Sequence, residues 1–145
     1  MDKKLGTLFI VSTPIGNLSD ITYRAIETLG SVEIIAAEDT RKSRILLSHY
    51  NIKTRTISYF EHNKFQKIDK IKQILKKGDS VAIITDAGTP GISDPAYKLI
   101  RKAIEIGSDV ESIPGPSAVI ASLVSSGLPT DRFIFEGFLP PKKGR

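Results

Sequence analysis

Two adjacent carboxylates, Glu38 and Asp39, close an apolar run and are followed by Thr40 and Arg41. A carboxylate pair at the end of a strand can hold a cation, orient an amine or take a proton. Asp39 can equally cap the helix that follows, with Arg41 as its exposed partner. Arg41, Lys42 and Arg44 gather at the same place. They can meet phosphates or form a solvated basic helix face. His49 and His62 stand singly, without the spacing of metal ligands, and there is no cysteine. No metal site and no disulfide is therefore expected.

The stretch from Asp86 to Pro95, DAGTPGISDP, offers a different chemistry. It follows the β-branched run Ser80 to Thr85 and precedes an amphipathic pattern from Tyr97 to Ile106. It is thus a strand-to-helix loop, and such loops usually run to roughly two to six residues. Gly88 and Gly91 permit positive φ and a close approach of ligand to backbone, while Pro90 and Pro95 stiffen the path. In α/β sheets ligands bind beyond the carboxyl ends of the strands, where this loop belongs. Two further loops follow strands. Ser12 to Asp20 has one glycine, Gly16, where a dinucleotide fingerprint needs three, so no pyrophosphate is expected there. Pro114-Gly-Pro-Ser-Ala118 starts a helix whose first N–H groups are free.

The elements that must position these loops alternate strand and helix. Strands are expected at Leu8–Val11, Val32–Ala37, Thr54–Tyr59, Ser80–Thr85, Asp109–Ile113 and Phe133–Glu136. Between them lie a helix capped by Asp20 and stopped by Gly30, a short one from Thr40 to Leu47, and one with Phe65, Ile68, Ile71, Ile74 and Leu75 on a single face. The lysines around that third helix, from Lys64 to Lys77, read as a solvated face. Asp94 is placed to cap the next helix, with Pro95 as its first residue. The run Val119 to Val124 is apolar nearly all round, which predicts a buried helix, stopped by Gly127 and Pro129. This alternation predicts an α/β fold, a mainly parallel sheet with helices on both faces. All four loops then share one sheet edge.

With 145 residues there is enough chain for one domain with a real core. The N-terminal apolar stretch is too short for a secretion signal and reads as the first strand, so a cytoplasmic protein is expected. No apolar run approaches membrane-spanning length. The net charge is +5, and it falls to +2 without Lys142, Lys143 and Arg145, so the body is only mildly basic. Nucleic-acid binding is permitted but not required by this balance. Residues 1–136 read as the domain and 137–145 as the start of a linker. A phosphorelay receiver is not expected, because the first strand ends in Ser12-Thr13 without the acidic pair its metal needs.

The stretches TPIGNLSDITYRA, AAEDTRKSRILL, DAGTPGISDP, PGPSAVIASLVSSGLP and FEGFLPPKKGR run in order along almost the whole chain. Together they resemble the tetrapyrrole methylase family, within it the branch that methylates the ribose 2′-oxygen of bacterial small-subunit ribosomal RNA. The resemblance implies a two-domain α/β enzyme with S-adenosylmethionine in the cleft between domains, of which this chain matches the N-terminal domain. It implies cofactor contacts at Asp86, Gly88, Thr89 and Ile92, at Ser117 and Ala118, and at the first loop around Pro14 and Gly16. It also implies a ribosomal RNA or 30S partner, a cytidine target and a homodimer. For such a transfer Glu38 or Asp39 is the expected base, and Arg41, Lys42 and Arg44 the expected RNA contacts. A tetrapyrrole substrate and a non-catalytic binding domain are the competing expectations.

Overall fold

The computed structural model describes residues 4–59, 64–94 and 96–139. His62, Pro95 and the tail from Pro140 lie outside them, as does the side chain of Phe65. Five strands form one sheet: β1 (Leu8–Val11), β2 (Ile34–Ala37), β3 (Thr56–Ser58), β4 (Val81–Ile84) and β5 (Val110–Ile113). Their order is β3-β2-β4-β1-β5, and every pair is parallel. Position explains composition. β2 and β4 are interior strands covered on both faces, and all eight of their residues are buried. β5 is an edge strand and exposes Glu111 and Ser112.

The helices are α1 (Tyr23–Ser31), α2 (Thr40–His49), α3 (Lys64–Lys76), α4 (Ala96–Glu105) and α5 (Ala118–Ser125). Strand side chains alternate between two cores. On one face Leu8, Ala36, Val81 and Ile83 pack against Ile68, Ile71 and Leu75 of α3 and Ala96, Leu99 and Ala103 of α4. On the other, Val11, Ile35, Ala82 and Ile84 pack against Ala25 and Leu29 of α1 and Leu47 of α2. Helices therefore cover both faces, as the alternation predicts. The connection from β1 leads to α1 on one face, and that from β4 leads to α4 on the other. β1 and β4 are neighbours in the sheet, so their loops cross at its carboxyl edge.

Several boundaries differ from the sequence reading. Thr22, not Asp20, caps α1: its hydroxyl accepts from the Ala25 N–H at 3.1 Å. Asp20 instead ends a 3-10 turn, Leu18–Asp20, whose cap is Asn17. Gly30 lies inside α1, which runs on to Ser31. Two expectations fail outright. No residue of α5 is buried; an apolar helix needs a cover, and sequence cannot say whether the same chain supplies it. Phe133 to Glu136 forms no strand, and Phe133, Ile134 and Phe135 are exposed. A β-prone run becomes a strand only where an edge pairs with it. Among the described residues β5 pairs only with β1.

Candidate cofactor site

Because all strands are parallel, the loops after β1, β2, β4 and β5 do meet at one edge. Two of them are stitched together. The Thr13 N–H donates to the Gly88 carbonyl and the Gly88 N–H to the Thr13 carbonyl, both at 3.0 Å. The hydroxyls of Ser12 and Thr89 lie 2.8 Å apart, and the Thr13 hydroxyl donates to the Thr85 carbonyl at 3.2 Å. Ser12 and Thr13 are both almost completely buried, so these bonds satisfy polar groups that water does not reach.

Gly88 has φ +81°, a conformation that L side chains rarely adopt. A Cβ there would lie 3.6 Å from Ile15 Cγ2 and 4.0 Å from the Pro116 carbonyl oxygen. Its missing side chain thus leaves open the space between the first and fourth loops. The fourth loop sits close because Gly115 also has no side chain: a Cβ would lie 2.8 Å from that of Ser12. At its far end the long loop is closed by Asp94. Both of its carboxylate oxygens accept from the Gly91 N–H at 2.8 Å, and one also accepts from the Ala96 N–H at 3.0 Å. Half-burial raises the Asp94 pKa above the ordinary carboxylate value, although both N–H groups pull it down.

The result is a groove of about 300 Å³ lined by Ile15, Gly88, Thr89, Ile92, Ser117 and Val119, with Ala87 and Ala118 completing it. Five residues singled out in the sequence, Gly88, Thr89, Ile92, Ser117 and Ala118, are brought together here. Ser117 also caps α5, its hydroxyl accepting from the Ile120 N–H at 3.4 Å. Pro14 and Asp86 line a separate pocket of about 150 Å³ beside α2, with Lys42 and Thr85. Gly16 lines neither; it is exposed at φ +146°.

The carboxylate pair divides its duties. Asp39 caps α2 through the Arg41 N–H at 2.9 Å, and the Arg41 guanidinium binds both its oxygens, at 3.2 and 2.9 Å. Those bonds hold its pKa down at about 2. Glu38 reaches across to β4. One of its oxygens accepts from the Thr85 hydroxyl at 2.5 Å and from the Asp86 N–H at 3.3 Å. Lys42 pairs with Asp86 at 2.5 Å, while Arg44 is exposed on α2. The sequence reading missed Ser12, Ile15, Thr85 and Val119. A signal for the first existed: a Ser-Thr pair directly after a buried apolar strand.

A groove with small and backbone-rich walls, at the carboxyl edge of a parallel sheet, suits a small organic molecule. The family model of the tetrapyrrole (corrin/porphyrin) methylases matches residues 7–144. The chain belongs to this family. It is 55% identical to a ribosomal RNA small subunit methyltransferase I of Mesorhizobium japonicum over 95% of the chain and 47% of that protein. A protein of the same name from Escherichia coli O157:H7 is 50% identical over 99% of the chain and 51% of its own length. The chain thus spans about half the length of these curated relatives. Among solved structures it resembles a cobalt precorrin-4 methyltransferase, with TM-score 0.66 and 17% identity over 83% of this chain and 50% of that one. A uroporphyrin-III-C-methyltransferase from Thermus thermophilus gives 0.63 and 18% over 86% and 54%. At such identities the likeness shows the methylase fold and nothing finer.

Proposed function

We propose that this chain is the cofactor-side, N-terminal half of an S-adenosylmethionine-dependent methyltransferase that modifies a ribose 2′-oxygen, of a cytidine, in small-subunit ribosomal RNA. The observation that carries the reading is the groove shared by Gly88, Thr89, Ile92, Ser117 and Ala118. The names of relatives at 50% identity and above supply the substrate class. The cofactor has no phosphate, and no phosphate cradle is present in the first loop. It has an adenine edge, a ribose diol and an amino-acid end. The backbone around Gly88 and the Thr89 and Ser117 hydroxyls can serve these groups. The Gly88 position, which a Cβ would fill, fits a ligand lying against the main chain.

Held against Gly88, Thr89 and Ser117, the cofactor would supply an electrophilic methyl on a sulfonium for the ribose oxygen. The protein's part is to hold the two reactants and exclude water and to take the hydroxyl proton. Glu38 is the better placed acceptor of the pair. Asp39 is committed to Arg41 and to its cap, and with a pKa of about 2 it is a weak base. Pro14, Gly16 and Asp86 complete the cofactor-side loops, and Arg41, Lys42 and Arg44 flank them as RNA contacts. The working enzyme is a cytoplasmic homodimer acting on the 30S subunit, with a second domain beyond the linker closing the cleft.

The test uses the full-length protein. Asp86→Ala combined with Thr89→Ala should weaken S-adenosylmethionine binding at least tenfold by calorimetry, and an unchanged affinity overturns the site. Mass spectrometry of the product should place the methyl on an rRNA ribose. A methylated tetrapyrrole instead would replace the substrate assignment.

A further inference from the structure

The charge of this protein is not spread evenly. Residues 64–77 and 96–105, the α3 and α4 segments, hold nine Lys and Arg against Asp69 and Glu105. That is a net +7 in a chain of net +5, so everything else sums to −2. The two helices pack side by side on one face of the sheet. Between them runs a groove of about 400 Å³ lined by Ile68, Lys72, Tyr97, Lys98, Arg101 and Lys102, with Asp69 and Glu105 at its sides. Both acids are already engaged. Asp69 meets Lys72 at 3.4 Å, and Glu105 is shared between Lys102 at 2.5 Å and Arg101 at 3.7 Å. The lining thus carries four cations, Lys72, Lys98, Arg101 and Lys102, and two carboxylates. Tyr97 stands in it 60% exposed, an aromatic face among cations.

The cations by the carboxylate pair are different. Arg41 is matched one to one by Asp39, and Lys42 by Asp86. Arg44 stands exposed on α2, but the excess of positive charge lies on the α3 and α4 segments, whose net +7 exceeds that of the whole chain. That surface joins the proposed site directly, because α4 begins at Ala96, whose N–H is held by the same Asp94 that closes the groove-lining loop. Along ten residues α4 extends roughly 15 Å from that edge. Cations on successive turns beside an exposed aromatic match a nucleic-acid backbone with a neighbouring base or sugar.

Resting on the rRNA reading above, we infer that the α3–α4 groove binds the phosphodiester backbone of the RNA substrate and holds it beside the methyl-transfer site. The full-length protein and a fluorescein-labelled fragment of small-subunit rRNA test this. Replacing Lys72, Lys98, Arg101 and Lys102 by Gln should weaken binding at least tenfold. It should also lower the slope of log affinity against log salt by about 3, at about 0.7 per single-strand phosphate contact. S-adenosylmethionine affinity should stay at the wild-type level. Glu105→Gln removes a competing carboxylate and should tighten RNA binding about two-fold, an effect that poor folding cannot mimic. Unchanged affinity and slope in both variants overturns the inference. So does loss of binding to phosphatidylserine vesicles with RNA binding intact, which would make the face a membrane contact. A wild-type protein that neither binds nor methylates rRNA would instead remove the functional reading beneath it.

Discussion

Thr13 and Gly88 exchange both of their backbone hydrogen bonds, at 3.0 Å in each direction. They lie in the loops that follow the neighbouring strands β1 and β4, whose chains then leave for opposite faces of the sheet. This one bridge fixes the first loop against the third. The crossing of the two connections gives the site its shape: each loop must pass the other at the edge, and the bridge sets how closely.

Gly88→Ala should therefore act twice. At φ +81° an L side chain costs about 1–2 kcal/mol, which denaturant unfolding will report as a lower midpoint. The new Cβ also enters the space between Ile15 and Pro116. S-adenosylmethionine affinity should fall by more than the stability loss alone produces, measured under conditions where the variant stays fully folded. A variant that binds as the wild type does would place the cofactor elsewhere.

Ser12 and Gly115 should be coupled. A Cβ on Gly115 would lie 2.8 Å from that of Ser12, so Gly115→Ala must push the fourth loop off the end of β1. Overpacking of this kind costs about 1–3 kcal/mol. Ser12→Gly makes room for the new methyl, although it gives up the hydrogen bond to Thr89. A double-mutant cycle by urea unfolding should show the pair less destabilised than the sum of the singles, by about 1 kcal/mol. Strict additivity would mean that the loops do not touch as described.

These contacts mark how far the sequence could be read. The strands, the parallel sheet and the shared loop edge were legible, since period and punctuation report burial and turns. So were Gly88, Thr89, Ile92, Ser117 and Ala118 as one group, once the family motifs were placed on those loops. The Ser12–Gly115 approach was not: it depends on a distance between loops about a hundred residues apart in sequence, and a single glycine does not announce its neighbour. The exposure of α5 and the unpaired run Phe133–Phe135 were misread for a related reason. Hydrophobicity reports a need for cover, not where the cover is.

Acid should separate Asp39 from Asp94. The Arg41 bonds lower the Asp39 pKa from 3.8 to about 2. A depressed carboxylate adds stability that is fully present above its unfolded value and lost as pH falls through the folded one. Relative to Asp39→Asn, the wild type should thus lose stability between about pH 4 and pH 2. For Asp94, burial raises the pKa and the sign reverses. Relative to Asp94→Asn, the wild type should lose stability as pH rises from 3.8 through that raised value. Urea unfolding at stepped pH measures both, and parallel curves for all three proteins would show that neither environment is as described.

Glu38 bears on the chemistry itself. Its carboxylate is held by the Thr85 hydroxyl and the Asp86 N–H, and among the described residues no salt bridge joins it to a cation. Asp39, by contrast, is bound directly by the Arg41 guanidinium. Glu38→Gln keeps the shape and both acceptor contacts but removes the basic oxygen. In the full-length enzyme kcat should fall about 10²–10⁴-fold, the usual worth of general base catalysis. S-adenosylmethionine affinity should stay unchanged, and the acid limb of the rate profile should disappear. Thr85→Val tests the orientation: it removes one donor to Glu38, and should lower kcat less than Glu38→Gln while keeping that limb. If Glu38→Gln slows the reaction with the acid limb intact, Glu38 only positions the β4 loop, and the proton leaves by another route.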